Sequence, residues 1–390
     1  MIRPRVALFC RTYLPGYLAG GPVRTLANLV EALGDEIDFR IVTLDRDYGA
    51  SDAYPGIETH RFLPVGKGSV CYLPPDQITG ARLSSLVEEI APDVLYLNSL
   101  FDKVFTARLL RQRRKGALPP VPIVLAPRGQ LNPGALRLKR TVKRAYLRFL
   151  QLSGYLDGIK WQATGAAEAG AIRAALGERY LARRSAGLQI AANFSRAAFA
   201  DPLQWRPRAA GERLRIALLG RISPMKNIDY AIGVLARMKE PAQLTVYGPH
   251  EDSDYLSQCR RAAAVLPDHV GVMFHGAVEP AQIPDALSAA DVFFLPTLGE
   301  NFGHAIAEAL AAGLPPVISD RTPWRDLDRH GAGTVLSLEE PGKFADELDR
   351  FARLTAAEMR EVRTACIAYA KAALADARVL ADNRRLFGLD

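Results

Sequence analysis

The chain of 390 residues is short of several things, and each shortage removes a class of function. It has four cysteines, at 10, 71, 259 and 366, with no Cys-x-x-Cys pair, so neither a disulfide framework nor a zinc ribbon is expected and a reducing compartment is the default. No run of 18 apolar residues occurs, which removes a membrane-spanning helix. The first apolar run, Val6–Cys10, is too short for a signal peptide and reads as a buried strand, so a cytoplasmic protein is expected, peripheral on the inner face of a membrane at most. His-Glu-x-x-His, phosphate-loop and Gly-x-Ser-x-Gly patterns are missing. The two Asp-x-Asp matches, Asp45/Asp47 and Asp326/Asp328, lack a supporting carboxylate or His; no metal and no cofactor are expected. Repeats and low-complexity tracts are absent too.

Acidic residues are missing from one stretch in particular. Residues 103–150 hold 13 Lys and Arg and no Asp or Glu. The formal net charge of +8 is therefore uneven: residues 1–200 carry 28 basic against 16 acidic side chains, a balance of +12, and residues 201–390 carry 22 against 26, a balance of −4. The densest part, Gly134–Leu152, reads as an amphipathic helix: Leu138, Val142, Ala145, Phe149 and Leu152 form an apolar stripe, and Arg137, Arg140, Arg144 and Arg148 a basic one, flanked by Lys139 and Lys143. Arg111, Arg113, Arg114 and Lys115 reinforce the basic patch. A solvated outer face accounts for such a stripe, and so does attraction to an anionic membrane surface or an anionic lipid-linked substrate. Nucleic acid is disfavoured, because few aromatics interleave with the charges and no nucleic-acid motif is present.

What is present is an alternation of short apolar runs and helical patterns. Strands are expected at Arg5–Cys10, Phe39–Leu44, Val94–Leu97 and Ile123–Ala126, and again at Arg215–Gly220, Gln243–Gly248, Val272–His275, Val292–Leu295 and Pro316–Ser319. Near-continuous apolar strands separated by helices indicate parallel sheets covered on both faces. The alternation runs twice, with a break at Ala192–Arg213. The expectation is two Rossmann-like, doubly wound α/β domains with a cleft between them: 1–200, and 201–365, with 366–390 returning to the first.

In such sheets ligands sit beyond the carboxyl ends of the strands. The loop Gly220-Arg221-Ile222-Ser223-Pro224-Met225-Lys226-Asn227 places two cations before a helix that Asn227 could cap; free N–H groups there, with Arg221 and Lys226, suit a diphosphate. The segment Thr297-Leu298-Gly299-Glu300-Asn301-Phe302-Gly303-His304, running on to Glu308, offers two carboxylates for sugar or ribose hydroxyls and a backbone opened by Gly303. His304 and Glu308, four apart, share a helical face. Gly20-Gly21 before a helix lets the backbone approach a phosphate. Arg128, in Pro127-Arg128-Gly129, reaches for a phosphate or an acceptor. For each taken singly, a plain surface loop or packing role competes; the combination favours a site.

That combination resembles the retaining GT-B glycosyltransferases of family 4. The Glu300-x7-Glu308 element with Asn-Phe-Gly and His inside it, the Arg221/Lys226 loop, Gly20-Gly21, Val317-Ile318-Ser319-Asp320 and Thr322-Pro323-Trp324 carry the likeness, which is strongest over about 212–340. The resemblance implies a nucleotide diphosphate-sugar donor, a UDP- or GDP-sugar, with Arg221 and Lys226 on the diphosphate and Glu308 on the ribose. It places Glu300 and the backbone of Asn301, Phe302 and Gly303 around the transferred sugar, counts His304 among the donor-binding residues and Glu300, Arg221 and Lys226 as catalytic, and sets Gly20 and Gly21 near the diphosphate. It also implies transfer to a glycan acceptor, lipid-linked given the basic half, in polysaccharide or cell-surface glycan synthesis, with Asn98 and Arg128 on the acceptor side. Where many relatives have a His, this chain has Asn98, which cannot act as a base; Asp102, read as an exposed loop acid, is the other carboxylate nearby. A nucleotide-sugar epimerase and a catalytically silent donor-binding subunit are the alternative readings.

Overall fold

The computed structural model describes residues 3–137, 140–195, 199, 205–209, 211–375 and 377–389, except the side chains of Arg137 and Arg140. It divides into two compact units: Met1–Phe194 with Ala377–Asp390, and Ser195–Asp376.

The first unit is built on eight strands: β1 (Arg5–Phe9), β2 (Asp38–Leu44), β3 (Phe62–Val65), β4 (Gly68–Leu73), β5 (Val94–Asn98), β6 (Ile123–Ala126), β7 (Ile159–Ala163) and β8 (Gly187–Ile190). Their order is β3-β4-β2-β1-β5-β6-β7-β8, parallel except for the β3–β4 hairpin at the edge. Successive side chains of a strand point to opposite faces. In β1, Ala7 and Phe9 join one core with Leu97, Phe105 and Trp161, whereas Val6 and Leu8 join a second with Tyr72, Tyr96 and Leu386. Both faces of the sheet are therefore covered, as the apolar run Val6–Cys10 requires.

The second unit has six parallel strands: β9 (Leu214–Leu219), β10 (Ala242–Tyr247), β11 (Val270–Gly276), β12 (Val292–Leu295), β13 (Pro316–Ser319) and β14 (Thr334–Leu336). The order is β11-β10-β9-β12-β13-β14. Strand order reverses between β9 and β12 here, as it does between β1 and β5 in the first sheet; the loops after those four strands face the switch points where ligands gather in open α/β sheets. The nine strands expected from sequence are all present within a residue or two at each end. Strands β3, β4, β7, β8 and β14 are additional to them.

Two boundaries differ from expectation. The chain changes unit between Phe194 and Ser195, not at 200, and the returning segment starts at Ala377, not at 366. The reason lies in helix Ala356–Leu374. A Thr355/Glu358 capping box starts it, and Met359, Arg363, Cys366, Ile367 and Ala370 are buried along one helical stripe on the second unit. The Arg363 guanidinium, fully buried, donates to Ala290 O and Ala312 O at 3.2 Å each, and burial lowers its pKa to about 10, so it stays cationic. Only helix Ala377–Leu386 belongs to the first unit, where Leu386 and Phe387 are buried and Asn383 donates to Ala192 O at 2.8 Å.

Candidate active site

The loops after β9 and β12 are tied together. The amide of Leu298 and the Thr297 hydroxyl both donate to Met225 O at 2.9 Å, and Asn227 Nδ2 donates to Pro296 O at 2.9 Å. These bonds set Lys226 beside Glu300, 74 residues away in sequence, and the two form a close ion pair between Nζ and Oε1. Both side chains are largely buried. The stem of Lys226 runs over Gly220: a Cβ there would lie 2.9 Å from Lys226 Cε and push the lysine stem aside. Arg221 Nη1 is 2.8 Å from Glu251 Oε1, a carboxylate just beyond β10. Both expected diphosphate cations thus lie at the switch point and each holds an acidic partner.

One expectation about this loop is corrected. Asn227 sits in the left-handed region (φ 58°) and does not cap helix Ile228–Leu235 with its side chain. The N–H groups of Ile228 and Asp229 are taken by the Tyr255 hydroxyl at 2.8 and 3.2 Å, which itself donates to Asp229 Oδ1 at 2.5 Å. Burial, with Asp229 alongside, pushes the Tyr255 pKa well up, so the phenol keeps its proton. Those amides are not offered to an anion; in this loop the donors suited to phosphate are the side chains of Arg221 and Lys226.

The segment after β12 is braced by the one after β13. Ser319 Oγ donates to Thr297 O at 2.6 Å, Glu300 N to Arg321 O at 3.0 Å, and Trp324 Nε1 to Phe302 O at 2.7 Å. Phe302 lies between the His304 ring (4.7 Å) and the Trp324 ring (6.1 Å). Holding the Phe302 carbonyl on Trp324 turns the peptide leading into Gly303, whose φ of +82° precedes helix His304–Ala311. Asn301 belongs to this same turn, and Glu308 stands one turn along the helix from His304 on the same face. Thr297, Ser319 and Trp324 stand in the motifs without a role that sequence alone assigns; Glu251 and Tyr255 give no signal there, since lone acids and tyrosines outside a motif rarely do.

In the first unit, Gly20 (φ 66°) and Gly21 open helix Gly21–Leu33 after β1. Asn98 ends β5 and is buried. Arg128, itself left-handed (φ 57°), donates from Nε to Asn98 Oδ1 at 2.8 Å, from Nη1 to Asn193 Oδ1 at 2.8 Å and from Nη2 to the Tyr96 hydroxyl at 2.5 Å; Tyr96 in turn donates to Gln162 Oε1 at 2.6 Å. Beside it Glu168, buried, accepts from Gly129 N, Thr164 N and Thr164 Oγ1. Arg128, just past β6, therefore ties β5 to the segment that follows β8. Arg128→Ala is expected to strip partners from Asn98, Asn193 and Tyr96 together. We expect a loss of about 2–3 kcal/mol, read as a fall of roughly 5–10 °C in thermal unfolding. Asp102 is not an exposed loop acid: it is buried and caps helix Thr106–Arg114, accepting from the amides of Val104, Phe105 and Thr106. A carboxylate holding three amides is committed to structure.

The basic helix, Arg140–Leu152, also differs from its reading. Leu147 and Leu150 are its buried residues, while Val142, Phe149 and Leu152 are 66, 55 and 74% exposed, so the apolar stripe read from the sequence is a solvent-facing ridge and a different pair packs inward. Lys143 turns inward, donating to Ala135 O at 2.6 Å and lying 5.7 Å over the Phe101 ring. Arg144 and Arg148 are exposed. Leu138 and Lys139, and the side chains of Arg137 and Arg140, lie outside the described residues. Among the described residues no helix is long and apolar enough to cross a membrane, and no three His, Cys, Asp or Glu side chains cluster as metal ligands would.

Three kinds of likeness bear on this arrangement. Among solved structures, the chain superposes on Anabaena HepE in complex with UDP and glucose, with a TM-score of 0.67 and 16% identity over 98% of each chain. It matches sucrose-phosphate synthase from Thermosynechococcus elongatus with a TM-score of 0.66 and 16% identity, over 99% of this chain and 98% of that one. WaaG, a glycosyltransferase involved in lipopolysaccharide biosynthesis, gives 0.62 and 14% over 98% of each. By sequence, the chain is 32% identical over 157 residues to the phosphatidyl-myo-inositol mannosyltransferase of Mycobacterium leprae, 38% of this chain and 40% of that protein. It is 32% identical over 135 residues to the putative glycosyltransferase EpsF of Bacillus subtilis, 34% of each. The matched stretch spans well under half the length of these relatives. Residues 201–373, which hold the Arg221/Lys226 loop and the Glu300–Glu308 segment, match the model of glycosyl transferases group 1, and the chain as a whole has the GT-B fold.

Proposed function

We propose that the chain is a retaining glycosyltransferase that moves a sugar from a UDP- or GDP-sugar to a lipid-linked glycan acceptor at an anionic membrane surface, without a metal ion or other cofactor. The observation that carries the reading is the meeting of Lys226 and Glu300 at the switch point of the second sheet, with Arg221 on the same loop. Two cations suit a diphosphate, and an adjacent carboxylate suits the sugar it carries. The ammonium of Lys226 has three donors, so it serves Glu300 and a phosphate oxygen together.

In this reading the bond between the sugar C1 and the phosphate oxygen breaks, the acceptor oxygen forms its bond to C1 on the same face, and the acceptor proton passes to the leaving diphosphate. Asn98 supplies no base, and Asp102 is engaged as a helix cap. Catalysis then rests on holding the reactants in place and on Arg221 and Lys226 stabilising the charge that grows on the leaving group. Glu308 binds the ribose, and the Asn301–His304 turn surrounds the sugar.

Support for the donor comes from HepE, whose structures hold UDP and UDP-glucose. Support for the lipid side comes from the name of the mycobacterial mannosyltransferase and from helix Arg140–Leu152, where the exposed ridge Val142, Phe149 and Leu152 runs beside Arg144 and Arg148. A basic face next to exposed apolar side chains suits a peripheral helix in an anionic lipid interface. The reading also places the protein on the inner face of the cytoplasmic membrane, in the assembly of a surface polysaccharide. The test is a panel of nucleotide sugars with alkyl-linked glycan acceptors, with the new bond followed by proton NMR. The expected product keeps the donor's anomeric configuration and forms in the presence of a chelator. An inverted product, or interconversion of the nucleotide sugar with no acceptor present, contradicts the reading.

A further inference from the structure

Between helix Arg140–Leu152 and helix Ala166–Leu176 runs a groove of about 560 Å³ that the site described above does not use. Leu131, Leu136, Leu147 and Ala174 are among its apolar lining, and Arg144 and Arg148 stand at it. Gln151, also in the lining, donates to Leu176 O at 2.8 Å and ties the two helices. At the other side, Leu131 lies three residues after Arg128, so the groove opens close to the carboxyl end of β6. Among the described residues neither Arg144 nor Arg148 meets a carboxylate, in a stretch of chain that holds no acid from 103 to 150. Around helix Arg140–Leu152, at 100° per residue, the order is the buried Leu147 and Leu150, the groove, the two arginines, then the exposed ridge.

We propose that this groove holds the hydrocarbon chain of the lipid-linked acceptor, with Arg144 and Arg148 on the acceptor's phosphate. The inference rests on the reading of the acceptor as lipid-linked and names where that lipid docks. The groove is apolar and walled by two helices, which suits an alkyl or isoprenoid chain. The cations beside it have no carboxylate partner among the described residues and suit a phosphate. A bulk bilayer meets the ridge of Val142, Phe149 and Leu152, on the other side of the arginines. The acceptor is favoured as occupant because the groove leads from the Arg128 loop, at the end of the sheet where β5 and β6 finish.

Alkyl phosphates of eight, ten and twelve carbons, below their micellar concentrations, provide the probe, with dodecyl maltoside and inorganic phosphate as controls. Calorimetry is expected to show affinity rising roughly fourfold per methylene. Ala174 is exposed on its helix, so Ala174→Phe fills the groove without entering the core. It is expected to flatten the chain-length dependence, while binding to phosphatidylglycerol vesicles persists. Arg144→Gln with Arg148→Gln is expected to weaken dodecyl phosphate more than tenfold and leave dodecyl maltoside unaffected. Thermal unfolding checks that each variant is folded. An unchanged chain-length dependence in Ala174→Phe overturns the proposal. So does equal binding of dodecyl maltoside and dodecyl phosphate, or loss of dodecyl phosphate binding in Phe149→Asp to the same degree, which would put the chain on the ridge. Nucleotide-sugar hydrolysis by the wild-type protein separates the two levels: hydrolysis without alkyl phosphate binding removes the lipid groove and keeps the transferase.

Discussion

Lys226→Ala is expected to weaken nucleotide-sugar binding by about 10- to 100-fold, the worth of one charge-assisted hydrogen bond. The substitution also leaves Glu300 largely buried and short of its cation, with the Thr297 hydroxyl 3.3 Å from Oε1. A carboxylate so placed repels the incoming diphosphate, so the loss exceeds that of a lysine on an open surface. Glu300→Gln tests the other partner. It keeps the shape, removes the charge and leaves Lys226 able to bind phosphate, so donor affinity should hold or rise. Turnover should fall by roughly 10²–10³, the scale seen when one preorganised polar group is removed from a transition state. Because the two side chains touch, the Lys226→Ala, Glu300→Gln double variant should lose less than the sum of the singles; strict additivity in kcat and in donor affinity would mean that the pair does not act together.

Gly303 is the other position where a small change should cost much. Its φ of +82° is a conformation that a Cβ makes costly, by about 1–2 kcal/mol. A Cβ there would also lie 3.0 Å from Ile306 Cδ1 and 3.1 Å from Trp324 Nε1. Relief requires moving Trp324, and Trp324 holds the Phe302 carbonyl. Gly303→Ala is therefore expected to turn the Phe302 peptide and lower turnover by about 10²-fold, since misplacement by an ångström is enough for that. Trp324→Phe keeps the ring against Phe302 and removes only the N–H donor. It should give a smaller fall in kcat with little change in thermal stability, which separates positioning from folding. Wild-type kcat in Gly303→Ala would mean that the turn does not position the sugar.

Apolar runs such as Val6–Cys10 and Val292–Leu295 make the central strands legible in the sequence, because a strand buried on both faces needs nearly every side chain apolar. The edge strands are not legible: β3 contains Pro64, and β8, Gly-Leu-Gln-Ile, is half polar, since an edge strand need bury little. The Arg221/Lys226 and Glu300 loops are recognisable from their residue types, yet their union through Thr297, Met225 and Asn227 is tertiary and leaves no local pattern. Helix Arg140–Leu152 shows the same limit from another side. Its periodicity is that of an amphipathic helix, but the face that packs inward is Leu147 and Leu150, and the larger apolar stripe looks outward. Periodicity locates faces; it does not say which of two apolar faces meets the protein. Asp102 misleads for a related reason, because a helix cap and a loop acid share the same residue type and differ only in the backbone amides they hold.

The proposed activity stands or falls on a nucleotide diphosphate-sugar being held by the Arg221/Lys226 loop. Calorimetric titration of the wild-type protein and of Lys226→Ala with UDP- and GDP-sugars decides it. At least one of these sugars is expected to bind the wild-type protein, and the same one to bind Lys226→Ala at least tenfold more weakly, with thermal unfolding of the variant little altered. A nucleotide sugar bound equally well by both proteins, or none bound by either, would show that the loop does not hold the donor.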